Sequence, residues 1–407
     1  MTARTVALRD QRALLDLLPP AAPLAWVRRG EGLVAWGVAA RLELPAEPER
    51  SGIQRFTAAD EWLESLFSTI VVDDAVGVPG SGPVVFGSFT FDGRDAGSTL
   101  ILPRVVVGRR DGQTWLTVVG DEADPLPAVP PPRPVGALRW RPGTLSEAEW
   151  CAVVSQAVDR IHTTGLAKVV LARDLVAEAD HPIDVRTPLQ RLAADYPDCY
   201  VYSVVGLTGA TPELLLRRTG TRLESLVLAG TAPRGATADD DAVLAKTLLT
   251  SAKDVEEHAY AVESLRESLA PFCTELDVPR HPELLRLANV QHLATPVRAV
   301  LPAKTATLPV LAALHPTAAV GGTPTRVAMD VIGELEGMRR DRYAGPVGWI
   351  DARGDGEWGI ALRCAQITGP RARLFAGAGI VADSDPQAEL AETVAKFRAV
   401  RAALTGR

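Results

Sequence analysis

Apolar and polar positions change their period several times along this chain. In "KVVLARDLVAE", from Lys168, they alternate: Lys168, Val170 and Ala172 fall on one face of a predicted strand, and Val169, Leu171 and Arg173 on the other. "CYVYSVVG", "PELLLRRTG", "TRLESLVLAG", "GPVGWID" and "EWGIALRCAQI" read as further short strands, the last as one strand carrying Arg363 beside Gly359, Ala361 and Ala365. Ahead of them, "GPVVFGSFTF" and "STLILPRVVVGRRDGQTWLTVVG" read as strands and hairpins, with Asp111-Gly112 as a turn signal. A helical period replaces the alternation near "TLSEAEWCAVVSQAVDRIHTTG" and twice more. In "SAKDVEEHAYAV", from Ser251, the stripe is Val255, Val262, Leu265 and Leu269, with Asp254 and Glu257 along one margin. In "DPQAELAETVAKF", from Asp385, it is Leu390, Val394, Phe397 and Leu404, flanked by Glu389, Glu392 and Lys396. Acids at i and i+3 share a helix face. Each helix therefore sets two carboxylates beside its core-facing stripe, where partial burial calls for a cation.

Strands bunched into hairpins and separated by long helices predict an α+β fold, with large, mostly antiparallel sheets flanked by helices. The seam "PLPAVPPPRPVG", residues 125–136, reads as an extended connector because its prolines fix φ and remove donors. It separates a β-rich portion, residues 1–140, from a catalytic region over residues 145–407.

With 407 residues and 47% hydrophobic content, the chain can bury a large core. A net charge of −7 without a basic, aromatic-interleaved run excludes a nucleic-acid footprint. Cys151, Cys199, Cys273 and Cys364 have neither zinc nor disulfide spacing and fit free thiols in a reducing cytoplasm. The N-terminus meets charges and a proline pair before any signal-peptide core, and no apolar stretch reaches the roughly 20 residues of a membrane span. A cytoplasmic protein with a small-molecule partner, and no membrane or nucleic acid, is expected. "FAGAGIVADSDP" does not match the dinucleotide fingerprint and no Walker loop occurs, so nucleotide cofactors are not indicated.

Several positions admit two readings. Lys168 is either an edge gatekeeper or a base in a desolvated cleft. Glu213, opening a strand after a turn, is either solvated or a buried general acid. Arg363, among small neighbours, is either a structural ion-pair partner or a carboxylate clamp. "AGAGIVADSDP" offers backbone N–H groups near a helix start capped by Ser384 or Asp385, with Pro386 at its first position. His292 and His315 stand beside turns, where either can be a satisfied core histidine. Oxygen-only ligands on the two acid helices suit Mg²⁺ over Zn²⁺.

The ordered set "AKVVLAR", "PELLLRR", "LAGTAPR", "LLTSAKDVEEHAYAV", "VQHLATPV", "LHPTAAVGGTP", "YAGPVGW", "GIALRCAQI" and "GAGIVADSDPQAELAET" resembles the chorismate-utilising enzymes, over about residues 145–400. That family contains isochorismate, salicylate, anthranilate and aminodeoxychorismate synthases. The resemblance implies that residues 1–140 help build a composite sheet and that both acid helices face one Mg²⁺, with Glu257 and Glu392 as ligands supported by Asp254 and Glu389. It implies Lys168 as the base that activates water and Glu213 as the acid protonating the departing C4 hydroxyl. Tyr343, Arg363 and Lys396, with backbone around Gly377 and Gly379, would grip the substrate's carboxylates. Gly230 and Thr231 would line the ring, and His292 would lie near the ring carboxylate. Gln291 and Leu390 stand where the family often has aromatics, which are changes of packing. Ammonia-using members typically carry glutamine at the position of Lys168, since water needs a base where ammonia does not. Lysine here, with Ala319 and Val320, points to isochorismate synthase, supplying menaquinone or a catecholate siderophore and acting as a monomer. The alternatives are a salicylate synthase, an aminating synthase, or a non-catalytic chorismate-binding module, which would have lost a base, acid or metal ligand.

Overall fold

The computed structural model describes all residues except 48–51, 122–125, 127, 288–289 and 407, so the expected connector is only partly within view; residues 128–136 carry no regular element. Two large sheets, of thirteen and ten strands, make the framework. Pairing is antiparallel throughout the described ladders, apart from Thr2–Ala7 with Val71–Asp74. The expected turn at Asp111-Gly112 joins Val105–Arg110 to Gln113–Val119, and both residues have positive φ, as a two-residue hairpin requires.

Strands before residue 140 enter both sheets. Leu24–Arg28 pairs with Tyr200–Val204 in the larger sheet, and Val84–Ser88 with Pro346–Asp351 in the smaller. One continuous apolar core fills the space between, including Trp26, Phe86, Leu171, Leu216, Trp349 and Trp358. Two lesser clusters lie under the helices on the outer face of the larger sheet.

"EWGIALRCAQI" is not one strand. Gly356–Ile360 belongs to the smaller sheet and Cys364–Thr368 to the larger, and Ala361-Leu362-Arg363 carries the chain across. Arg363 makes the turn with φ +46, a left-handed conformation that alternation cannot foretell. A second crossing runs beside it: Leu207–Thr211 lies in the larger sheet, Leu214–Thr219 in the smaller, and Pro212-Glu213 in between. The two crossings are stitched together, Ile360 N–H donating to Glu213 O at 3.3 Å and Ala210 N–H to Arg363 O at 3.2 Å.

Both acid helices form, Ala252–Leu269 capped by Ser251 and Pro386–Thr405 capped by Asp385. Their stripes are rotated from the expected ones. Val255 and Val394 are exposed, while His258, Ala261, Leu265 and Leu269 are buried on the first helix, and Glu389, Thr393, Phe397 and Val400 on the second. At about 100° per residue these buried sets centre near His258 and Thr393, so Asp254 and Glu389, one turn earlier, point inward with them. The N-terminal turns of each helix face a cavity instead of apolar core, so polar side chains take the inward positions there.

Candidate active site

Strand Lys168–Ala179 pairs with Arg371–Ile380 so that Val170 faces Gly379 and Ala172 faces Gly377. Lys168, Val170, Gly377 and Gly379 consequently share one face, the floor of a cavity of about 200 Å³. At Gly379 a Cβ would come within 3.0 Å of Lys168 Cε, so glycine leaves the lysine its path into the cavity. The smaller sheet supplies Leu228 to Thr231 and His292. Gly230, at φ +73, breaks the register of Arg222–Pro233 against Val290–Val300, a bulge that sets Thr231 opposite His292. The two sheet crossings add Glu213 and Arg363, and the acid helices close the cavity with Asp254, Glu257, Glu389 and Glu392. Tyr343, stacked on Phe375 at 5.1 Å, and Lys396 complete it. Every residue expected at a site thus lines this one cavity. His315 does not: its ring donates to Phe91 O at 2.9 Å, and burial holds it neutral.

Glu213 is buried, and its carboxyl has no hydrogen-bond partner among the described residues. Desolvation pushes its pKa up to about 8, against the pull of Arg363, Lys168 and Lys396. The side chain is therefore a neutral acid at pH 7. His292 is held neutral by the same means: burial first, then Arg363 and Lys396, lower its pKa to about 3. Arg363 Nη2 lies 3.1 Å from His292 Nε2, and a guanidinium can only donate, so Nε2 accepts and the ring proton sits on Nδ1, 2.9 Å from Thr231 Oγ1. Arg363 Nη1 is buried and unpartnered among the described residues, a donor with nothing yet to bind. Burial raises the Tyr343 phenol well above its usual range, keeping it a donor.

The four acids divide into two kinds. Glu257 receives Lys168 Nζ at 2.5 Å and Glu392 receives Lys396 Nζ at 2.5 Å, while Lys396 also donates to Gly377 O at 2.8 Å. Glu389 accepts from Ser384 Oγ at 2.8 Å. The Asp254 carboxylate faces the cavity with no hydrogen bond or ion pair among the described residues. In this arrangement no group of three metal-ligating side chains among the described residues is close enough to hold one ion, since Glu257 and Glu392 are each turned onto a lysine. The donor set nevertheless fits a hard cation: four carboxylates against three cationic side chains leave an orphaned Asp254 aimed into the space between two acid helices.

His258 was not singled out in the sequence. It follows Glu257 directly, is buried, donates from Nδ1 to Ala229 O at 3.2 Å and meets Thr295 Oγ1 at 2.7 Å, tying the acid helix to the strand just before the Gly230 bulge. Its position four residues after Asp254, on the inward arc, was the available signal.

A cavity between two composite sheets, closed by paired acid helices and holding a buried neutral acid, defines an enzyme for a small, multiply anionic substrate. The chain belongs to the chorismate binding enzyme family, which it matches over residues 134–405. It is 36% identical over 414 residues to the salicylate biosynthesis isochorismate synthase of Pseudomonas aeruginosa, covering 94% of this chain and 84% of that one. Isochorismate synthase DhbC of Bacillus subtilis is 40% identical over 264 residues, 62% of this chain and 66% of the relative. The structure of MenF, the menaquinone-specific isochorismate synthase of Escherichia coli, superposes with a TM-score of 0.82 at 25% identity, covering 99% of this chain and 94% of that one.

Proposed function

We infer that this chain is an isochorismate synthase, interconverting chorismate and isochorismate by adding water at C2 and releasing the C4 hydroxyl, with Mg²⁺ as its cofactor. The observation that carries the reading is the presence in one cavity of a strand-borne lysine and a buried carboxyl kept neutral, beside a guanidinium with an unspent donor. Water needs a base, and Lys168 supplies one where an ammonia-using enzyme needs none.

In the forward direction Lys168 takes a proton from water as its oxygen bonds to C2, and Glu213 gives its proton to the C4 oxygen as that bond breaks. Arg363, Tyr343 and Lys396 hold the substrate's carboxylates, with His292 keeping the Arg363 fork in plane. Glu257 and Glu392, supported by Asp254 and Glu389, would hold Mg²⁺, which when bound neutralises and orients the ring carboxylate. Action as a cytoplasmic monomer completes the proposal; no described helix is long and apolar enough to cross a membrane.

Chromatography of purified protein with chorismate and Mg²⁺ tests this. Isochorismate alone supports it, whereas salicylate with stoichiometric pyruvate reassigns the chain to salicylate synthesis.

A further inference from the structure

Behind Glu213 lies a second cavity of about 140 Å³, and Glu213 and Ala319 line both. Its polar lining is made largely of hydroxyls, among them Ser225, Ser264, Ser268 and Thr317. Ser225 Oγ donates to Leu214 O at 3.3 Å and Ser268 Oγ to Ser264 O at 2.9 Å, which leaves both oxygens free to accept. Thr317 Oγ1 is buried with no partner among the described residues, the condition of a group that bonds to water. The cavity also reaches the surface, for Ala313 is exposed and Ser264 and Ser268 are half-buried. Ser268 stands 11 residues beyond Glu257 on the same helix, so this opening is about 16 Å along the helix axis from the acids at the front.

We propose that this chamber is a water passage serving Glu213: the oxygen leaving C4 departs through it as water, and the proton that Glu213 has given up returns by it. The proposal rests on the reaction assigned above and adds a route. At C4 the carbon–oxygen bond breaks with its electron pair on oxygen, which takes the Glu213 proton and becomes water, leaving a carboxylate. At C2 the new bond forms as water loses a proton to Lys168. Each turnover thus ends with Lys168 one proton richer and Glu213 one poorer, and with a water molecule beside Glu213. A substrate reaching Lys168, Glu213 and Arg363 at once would occupy the front cavity, and the chamber behind Glu213 offers the water and the returning proton another way. The hydroxyl-lined chamber is that way, because each hydroxyl can accept and donate in turn.

Chorismate labelled with oxygen-18 in its C4 hydroxyl tests the passage. With Mg²⁺-loaded wild-type enzyme, each passage to isochorismate and back should replace the label with bulk oxygen, so label loss keeps pace with interconversion. Ala313→Trp closes the surface end at an exposed position, and Ser264→Leu fills the middle. Each should slow label loss relative to interconversion by at least about threefold and lower kcat, with KM for chorismate changed less than about twofold. A purely structural effect would lower both rates together without retaining label. Wild-type label loss per interconversion in the folded Ala313→Trp enzyme overturns the passage. Absence of isochorismate from the wild-type reaction overturns the assigned chemistry, and the passage with it.

Discussion

The Lys168 ammonium lies 2.5 Å from Glu257 Oε1, joining the head of a sheet strand to the acid helix above it. Both proposed roles require this pair to part. An ammonium held on a carboxylate has no lone pair for a water proton, and a carboxylate neutralised by lysine is a poorer ligand for a second cation. On the proposed roles, Lys168 and the metal compete for Glu257. In the absence of substrate, Lys168→Ala should bind Mg²⁺ more tightly than wild type by calorimetry, and Glu257→Gln or Glu392→Gln more weakly. Equal affinity in Lys168→Ala and wild type would remove the competition.

Turnover should vanish in excess chelator and return with Mg²⁺, because the acid helices and a carboxylate-bearing substrate repel one another without a cation between them. Full activity in chelator would sink the two-helix metal site.

Lys168→Ala should lower kcat by about 10²–10⁴, the usual worth of a general base, while KM changes little. Arg363→Ala should do the reverse. Losing a partly buried charged contact costs about 2–5 kcal/mol, at least roughly thirtyfold in KM. Arg363→Lys should recover little, since a lysine cannot reach His292 and the substrate with one planar fork. Equal loss of kcat and KM in both variants would contradict this division.

Glu213 gives a pH dependence of definite sign. Its folded-state pKa, about 8, lies above its ordinary 4.5, so the folded protein keeps a proton that the unfolded chain has released between those values. Stability should fall as pH rises through that window, and the proton needed for catalysis should be lost above about pH 8. Glu213→Gln should remove this contribution, so that the melting temperature of the variant relative to wild type rises steadily between pH 5 and 8, and it should abolish turnover. His292 acts with the opposite sign: neutral in the folded protein but protonated in the unfolded chain below its ordinary 6.5, it should withdraw stability as pH falls from that value toward about 3. A stability curve for Glu213→Gln parallel to the wild type's would show that the carboxyl is not buried neutral.

Much of this was legible in the residues. Of the period-2 face of Lys168, Val170 and Ala172, the first two line the cavity, and the acids at i and i+3 mark the helices that close it. What failed was the inference that a stripe must be apolar. Val255 and Val394 turn outward because the N-terminal turns of each acid helix face a polar cavity, and His258 and Thr393 take the inward places. Alternation also misled at "EWGIALRCAQI", where it continued a strand through Arg363. A residue that moves the chain between sheets obeys neither sheet's pleat, and Glu213 and Arg363 both occupy such points.

Beneath the floor, Glu336 and Arg340 form a buried ion pair. Glu336 Oε1 accepts from Ala172 N at 2.7 Å, while Arg340 donates to Val170 O at 2.7 Å and to Val320 O at 2.8 Å. The pair thereby fixes the strand that carries Lys168 and the wall at Val320. Glu336→Ala leaves a buried guanidinium unpaired and should cost about 3–5 kcal/mol in denaturant unfolding. A loss below about 1 kcal/mol would mean that the backbone contacts alone suffice.

In the proposed reaction one lysine and one neutral carboxyl move a hydroxyl around a ring, a change that nearly conserves energy and so runs both ways. The direct measurement starts the purified Mg²⁺-loaded enzyme from chorismate in one vessel and from isochorismate in another, and follows both compounds by chromatography with a coupled assay for pyruvate. Both vessels should reach the same ratio of the two compounds, without accumulation of salicylate or pyruvate. Conversion in one direction only, pyruvate released in step with chorismate consumed, or a product that forms only with ammonia would contradict it.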